Sequence, residues 1–418
     1  TPTPALTSLT RHPKETPAMT AVDNQIRAYP FGPQHGLDED PAYEEARRAG
    51  TLTRVQMPYG DPGWLVTRYD DIKVVLSDPR FSRTATLGKD VARSTPAIET
   101  DMSILSMDPP DHTRLRRLVA QAFTMRQVER LRPAIDDIIN DLLDRIEADG
   151  TTADLARSLT WPLPVRVICH LLGVPIADHA RFAQWTDDIM SVASEDLELI
   201  VKARDGLIAY LAELIAQRRA EPADDLLSGL VLARDQDERL SEQELVVFGM
   251  TLLLAGHETT ANQVGNFLYL LLSRPERWQR LVDDPSLVPQ AVEELLRYTP
   301  LAAAGNFPRM AIEDVELGGT LVRAGDVVVV HMAAGNRDAS VFERPDEIDF
   351  DRDARAHIAF GHGAHHCLGH QLARAELQMV LTALVRRFPG LRLAVPADEV
   401  PWRTERLVNG VSALPVTW

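Results

Sequence analysis

Apolar residues recur at three- and four-residue spacing over 115–123, 135–146 and 207–215, so the stretch from Thr113 to Gln217 reads as helix. Ser241 and Glu244 fit a capping box, and the helical pattern that follows runs to Ser273 before Pro275 stops it. That helix would be roughly 50 Å long at 1.5 Å per residue. Its segment 245–255 is apolar on nearly every face, which places it through the middle of the protein. A second helix is expected over 288–298.

Extended patterns frame this helical centre. Residues 52–57 and 63–68 flank Pro58-Tyr59-Gly60-Asp61-Pro62 and predict a β-hairpin. After Pro300 come short runs at 315–321 and 327–331, broken by Gly318-Gly319 and Gly325. Helix resumes at Leu368 and continues to about Phe388, and the last thirty or so residues again look extended. The 418 residues exceed the usual single-core size of about 250 to 300. With no internal repeat and no Gly/Ser linker, one intertwined α+β domain, mostly α, is expected over 29–418. Residues 1–28 are rich in Thr, Pro and Ala and read as a flexible leader.

Composition narrows the function. A hydrophobic fraction of 45% and a charged fraction of 25% describe an ordinary soluble globular protein. No run reaches the roughly 18 apolar residues of a membrane span, and the N-terminal stretch lacks the apolar core of a signal peptide, so a cytoplasmic protein, taken as a monomer, is expected. The net charge of -17 argues against nucleic acid, whose phosphates need a basic surface. Two cysteines, Cys169 and Cys367, make no disulfide framework. Cys169 lies in an apolar helical stretch and reads as a small buried hydrophobe.

Cys367 has different surroundings. Phe360-Gly361-His362-Gly363-Ala364-His365-His366-Cys367-Leu368-Gly369 sets a glycine-rich turn before a helix whose first turn begins at the cysteine. A thiolate there is favoured by the helix dipole and by free backbone N–H groups, which lower the thiol pKa from about 8.5. Gly361, Gly363 and Gly369 would let backbone lie flat against a large planar group such as haem. A tight turn without chemistry is the plain alternative. Zinc on His365, His366 and Cys367 is another, but adjacent ligands cannot close a tetrahedron without a second cluster.

This block resembles that of the cytochrome P450 family, soluble bacterial type, and the resemblance extends from about Tyr29 to Trp418. It implies a mostly α fold with a long central helix over a buried haem b, and Cys367 as the axial ligand of the iron. Phe360 and Gly361 would belong to the haem-binding loop, and His365 would reach a haem propionate. His366 stands where the family commonly has an aromatic residue or glutamine. His112 and Arg116, four apart in a helix beginning near Asp111, share one face and could clamp an anion or simply decorate a basic face. The resemblance makes them propionate partners, together with Arg309.

Other constellations join by the same likeness. Glu294 and Arg297, three apart, would ordinarily be an exposed pair. The family's Glu-x-x-Arg pattern instead implies a buried network with Arg352, ahead of Arg344, beneath the haem-binding loop. Ala255-Gly256-His257-Glu258-Thr259-Thr260 puts an acid and hydroxyls into the apolar helix, where a threonine bonding back one turn could open a groove. The resemblance implies a dioxygen groove at Ala255 and Gly256, with Thr259 holding the activated oxygen and Glu258 relaying protons. The pocket would be lined by 84–102, by Leu301, Ala302, Ala303 and by Leu407 and Val408, and would take a lipophilic small molecule.

The activity implied is insertion of one oxygen atom of dioxygen into an organic substrate, as hydroxylation or epoxidation in natural-product metabolism. Electrons would come from NAD(P)H through a separate ferredoxin and ferredoxin reductase, docking near Arg114, Arg117 and Arg374. A peroxide-driven oxygenase would not need Glu258 and Thr259, and a haem sensor or carrier would have no use for a substrate cavity.

Overall fold

The computed structural model describes residues 26–32, 36–100, 102–120, 123–189, 197–237, 241–302, 307–404 and 406–418. The expected leader therefore lies almost wholly outside the described residues. In chain order the α-helices are α1 (Pro41–Arg48), α2 (Tyr69–Ser77), α3 (Asp111–Ala120), α4 (Met125–Ala148), α5 (Pro162–Leu172), α6 (His179–Ile189), α7 (Leu197–Ala220), α8 (Leu226–Asp237), α9 (Glu242–Leu272), α10 (Pro275–Asp283), α11 (Val288–Tyr298), α12 (Met332–Asn336) and α13 (His370–Arg387). The strands are β1 (Arg27–Ala28), β2 (Thr53–Gln56), β3 (Gly63–Val66), β4 (Phe81–Ser82), β5 (Thr152–Asp154), β6 (Arg309–Ala311), β7 (Val315–Leu317), β8 (Thr320–Val322), β9 (Val327–Val330), β10 (Arg392–Leu393) and β11 (Pro415–Thr417).

The long helix is α9. The Ser241 hydroxyl accepts the Glu244 N–H at 3.1 Å and the Glu244 carboxylate accepts the Ser241 N–H at 2.7 Å, so both halves of the capping box are made. Leu245, Val246, Phe248, Leu252 and Leu253 are buried near one end, and Phe267, Leu268, Leu270 and Leu271 near the other, as a helix threaded through a core requires. Helix α5 crosses it so closely that a β-carbon on Gly256 would stand 3.1 Å from the Ile168 side chain. The main apolar core gathers α4, α5, α7, α9, α11 and α13.

The hairpin forms as expected, with Thr53 opposite Leu65 and Val55 opposite Gly63. It belongs to a six-stranded sheet ordered β1-β2-β3-β9-β6-β4, where β9, Val-Val-Val-Val, is buried on both faces. Gly318 and Gly319, both at positive φ, turn β7 into β8. One strand departs from the reading of 113–217 as helix. Strand β5 interrupts it and pairs with β11, Val416 facing Ala153 across more than 260 residues of chain. Three residues carry too little periodicity to announce themselves, and their partner is remote.

The segment between α12 and the cysteine turn has little regular structure and is fastened by charge. Glu294 and Arg297 on α11 are both 0% exposed. They meet in two hydrogen bonds, Nε to Oε2 at 2.7 Å and Nη2 to Oε1 at 2.8 Å. Arg297 also donates to the carbonyls of Asn336, Pro345 and Glu347 at 2.7–3.0 Å. Glu294 accepts the Asp349 N–H at 2.9 Å and Arg352 Nε at 3.1 Å. Arg344 stays at the surface with Glu347 and Asp349. The network thus clamps 336–352 to α11, and Asn336, which takes Arg297 on its carbonyl, accepts the Ile358 N–H at 2.7 Å on its side chain and so reaches the chain entering the cysteine turn.

Removing one member of such a buried pair strands the other charge, a loss of about 3–5 kcal/mol. Arg297→Ala should therefore give little folded protein and a strongly lowered melting temperature. Arg344→Ala, an exposed pair, should cost less than about 1 kcal/mol. Equal melting of the two variants would contradict the clamp.

Candidate active site

Cys367 occupies a turn and not a helix. Its N–H donates to the Phe360 carbonyl at 2.8 Å, the His366 N–H to Gly363 at 3.1 Å, and α13 starts three residues later behind Gly369 as N-cap. The expectation that the helix begins at the cysteine is corrected accordingly. So is the expectation for the thiol. Burial pushes its pKa up, against the Gly369 N–H and the nearby cations of Arg116 and Arg374. A helix end alone does not make this sulfur a thiolate; a bound cation would have to.

Two glycines of the turn also have reasons nearer home than a flat ligand. Gly361 has φ +77. Gly363 has φ +69, and its β-carbon would fall 2.4 Å from the Leu76 carbonyl of α2. Gly369 has open space around it.

Basic groups converge beside the turn. His112 of α3 is 1% exposed, its ring lies 4.2 Å from that of His365, and Nε2 of each is buried without a hydrogen-bond partner among the described residues. Buried Arg309, at the start of β6, donates to the Phe81 carbonyl at 3.2 Å. Burial drives the His365 pKa down to about 3, helped by His112, Arg309 and Arg83, and lowers Arg309 to about 10, helped by Arg83. Arg83, which the sequence reading missed, is wholly buried, bonded to Leu105 and Pro308 carbonyls and to Glu99 at 3.1 Å. Arg116 shares the face of His112 but gives Nη2 to the His366 carbonyl at 2.5 Å, so it braces the turn.

On α9, Ala255 is exposed and Gly256 and Thr259 are partly so. The Thr259 hydroxyl donates to the Ala255 carbonyl at 2.6 Å, the back-bond expected, yet the helix runs unbroken through 255–260. The expected opening of the helix is corrected: the back-bond is made without breaking α9. Glu258 turns away from Thr259. It is 1% exposed, neither oxygen has a hydrogen bond, and Arg403 Nη1 stands 3.9 Å away. Burial pushes its pKa to about 7 against Arg403 and Arg406. Arg403 stacks 4.2 Å over Trp161 and pairs with Asp187 of α6, whose carbonyl also takes Arg406 Nη1 at 2.6 Å. Arg403, Arg406 and Asp187 carried no local motif.

The proposed pocket segments meet. Ala302 and Val408 form an isolated bridge, and the Asn409 N–H reaches the Leu301 carbonyl at 2.8 Å, with Leu407 half-buried beside them. Ala303 lies outside the described residues. In the 84–102 loop, Lys89 approaches the Met310 sulfur at 3.2 Å and Arg93 pairs with Asp90. Of the arginines expected at a docking face, Arg114 is paired with Glu244 and Arg374 with Glu293, while Arg117 is exposed on α3.

The cytochrome P450 family model matches residues 45–411, and the chain belongs to that family. It is 52% identical over 401 residues to the nocardicin C N-oxygenase of Nocardia uniformis subsp. tsuyamanensis, covering 96% of this chain and 100% of that one. It is 48% identical over 392 residues to the mycinamicin IV hydroxylase/epoxidase of Micromonospora griseorubida, covering 94% and 98%. Among solved structures, the cytochrome P450 hydroxylase LnmA from the leinamycin biosynthetic pathway of Streptomyces atroolivaceus superposes with a TM-score of 0.87 at 49% identity, over 94% of this chain and 100% of that chain. The protein is thus a haem-dependent monooxygenase with the fold of that family. No helix among the described residues is long and apolar enough to cross a membrane.

The residues present suit haem b. Its two carboxylates would answer the unpaired His112 and His365 nitrogens and the excess of positive charge around Arg309, and its iron would supply the cation that a buried sulfur lacks.

Glu258 offers a check that needs no substrate. Its folded pKa of about 7 lies above the ordinary 4.5, so its contribution to stability is full below about pH 4.5 and is lost as pH rises through 7. Glu258→Gln, neutral throughout, should gain about 2–3 kcal/mol on the parent between pH 5 and pH 8. A melting difference that stays constant over that range would return the carboxyl to an ordinary pKa.

Proposed function

We propose that this chain is a cytoplasmic, monomeric monooxygenase of natural-product tailoring that hydroxylates or epoxidises a lipophilic molecule at a haem held by Cys367. What carries the reading is the cysteine turn, with the half-buried Cys367 on one side and, on the other, His112 and His365, whose Nε2 atoms are buried without a hydrogen-bond partner among the described residues. The names of the relatives, an N-oxygenase acting on nocardicin C and a hydroxylase/epoxidase acting on mycinamicin IV, support a substrate of that size and kind. The bridged segments at Ala302 and Val408 supply small and aliphatic surface for it.

When bound, haem supplies the activation of dioxygen and the acceptance of electrons. The protein's part is binding, orientation and proton handling. Cys367 presents its sulfur beside the Gly369 N–H, and His112, His365 and Arg309 would hold the carboxylates of the haem. Thr259 donates its hydroxyl hydrogen bond to the Ala255 carbonyl, which leaves the lone pairs of its oxygen free to accept a hydrogen bond. Glu258, poised near neutral pH, takes protons from the Arg403 side and passes them inward. Electrons come from NAD(P)H through a separate ferredoxin and ferredoxin reductase. The exposed Arg117 within an acidic protein supports a local docking point for an acidic partner.

The decisive measurement is turnover driven by ferredoxin and reductase, compared with peroxide alone, together with the spectrum of the reduced carbonyl complex. Cys367→Ser should abolish the strongly red-shifted thiolate band, since a neutral ligand donates less charge to iron. A Cys367→Ala variant with the full thiolate spectrum and full turnover would end this reading.

Thr259→Ala should release more hydrogen peroxide per nicotinamide consumed with substrate bound, because positioned proton relays contribute about 10² to 10⁴ in rate. An unchanged ratio would remove Thr259 from that role.

A further inference from the structure

Glu293 stands next to Glu294 on α11 but faces another way. Its Oε1 accepts Arg374 Nε at 2.7 Å, its Oε2 accepts Arg374 Nη2 at 3.0 Å, and Oε2 also meets His357 Nε2 at 3.2 Å. Arg374 comes from α13 and His357 from the strand of chain entering the cysteine turn. The Arg374 guanidinium lies 4.6 Å from the centre of the Phe360 ring, and the Phe360 carbonyl takes the Cys367 N–H. Three pieces of chain therefore converge beside Phe360 of the cysteine turn, joined by one carboxylate.

The pairing is strong and partly dry. Burial alone would raise the Glu293 carboxyl, yet His357 and Arg374 hold it down to about 2. It is an anion at any working pH. The cysteine turn thus carries two guanidinium groups of different kinds: Arg116, bonded to the His366 carbonyl, and Arg374, packed on Phe360 with its charge answered by a carboxylate. Arg374 packs on Phe360, whose carbonyl accepts the Cys367 N–H, so a charge left uncompensated there would act on the cysteine turn through a protein interior that screens less than water does.

We propose that Glu293 is a positioning residue for the cysteine ligand: by pairing Arg374 it both seats Phe360 against the turn and cancels a positive charge that would otherwise weaken electron donation from the Cys367 sulfur. Arg374 then belongs to the tuning of the sulfur and not to the docking of a redox protein. The inference rests on Cys367 as the haem ligand.

The test is the equilibrium reduction potential of the haem-loaded protein, measured without any ferredoxin. Glu293→Gln exposes the Arg374 charge and should raise the potential. Arg374→Gln leaves an uncompensated anion and should lower it, and the double variant should return close to the parent. Loosening of the turn without an electrostatic role would move both single variants in one direction, or neither, and either result would overturn the proposal. Arg374→Lys keeps the charge and should stay nearer the parent than Arg374→Gln does; an equal fall in the two would overturn it as well. If Glu293→Gln holds too little haem to titrate, the comparison of the two Arg374 variants decides alone. The reduced carbonyl spectrum of each variant separates the two claims. Loss of the thiolate band in the parent would refute Cys367 ligation, whereas a kept band with potentials that do not diverge refutes only the role of Glu293.

Discussion

Charge held away from water governs this molecule. A buried ion is tolerated only where an opposite charge or several donors replace its hydration, and each such site ties together pieces of chain that have no other reason to meet. Arg297 shows the effect most clearly: its guanidinium takes Glu294 and three carbonyls, and in doing so gives a definite course to a stretch between α12 and the cysteine turn that has little secondary structure. Arg83 does the same between β4, the 84–102 loop and the chain before β6. The residues proposed to hold the haem carboxylates are the exception. His112 and His365 have buried Nε2 atoms with no partner among the described residues, which suits the anionic ligand proposed for them.

Much of this was legible in the sequence, and for identifiable reasons. Helix α9 could be placed because its start carries a two-residue capping signal and its interior is apolar all round; both are local properties. The cysteine turn could be placed because its glycines, histidines and cysteine are contiguous. Glu294 and Arg297, three apart, could be paired, but their burial came only from likeness to a family, since the same spacing on a solvated helix looks identical.

What escaped was whatever depended on distant chain. Strand β5 needed β11, at the other end of the protein. Arg403 and Asp187 could not be connected to Glu258 by any spacing rule, although Arg403 stands 3.9 Å from it and pairs with Asp187. Arg114 and Arg374 looked like free surface cations and proved to be paired with Glu244 and Glu293. The Cys367 thiol was misjudged because burial, which raises its pKa, is a tertiary property, whereas a helix start is visible in the sequence.

The bridge between Ala302 and Val408 bears on changing what the enzyme accepts if these loops line the pocket as proposed. Two loops a hundred residues apart are stitched backbone to backbone, with Asn409 hydrogen-bonded to both Pro300 and Leu301. Substitutions on one loop will shift the other, so their effects will be epistatic and single-site scans will undervalue combinations. A library that randomises both loops together should reach altered selectivity that no stepwise path through either loop alone can visit.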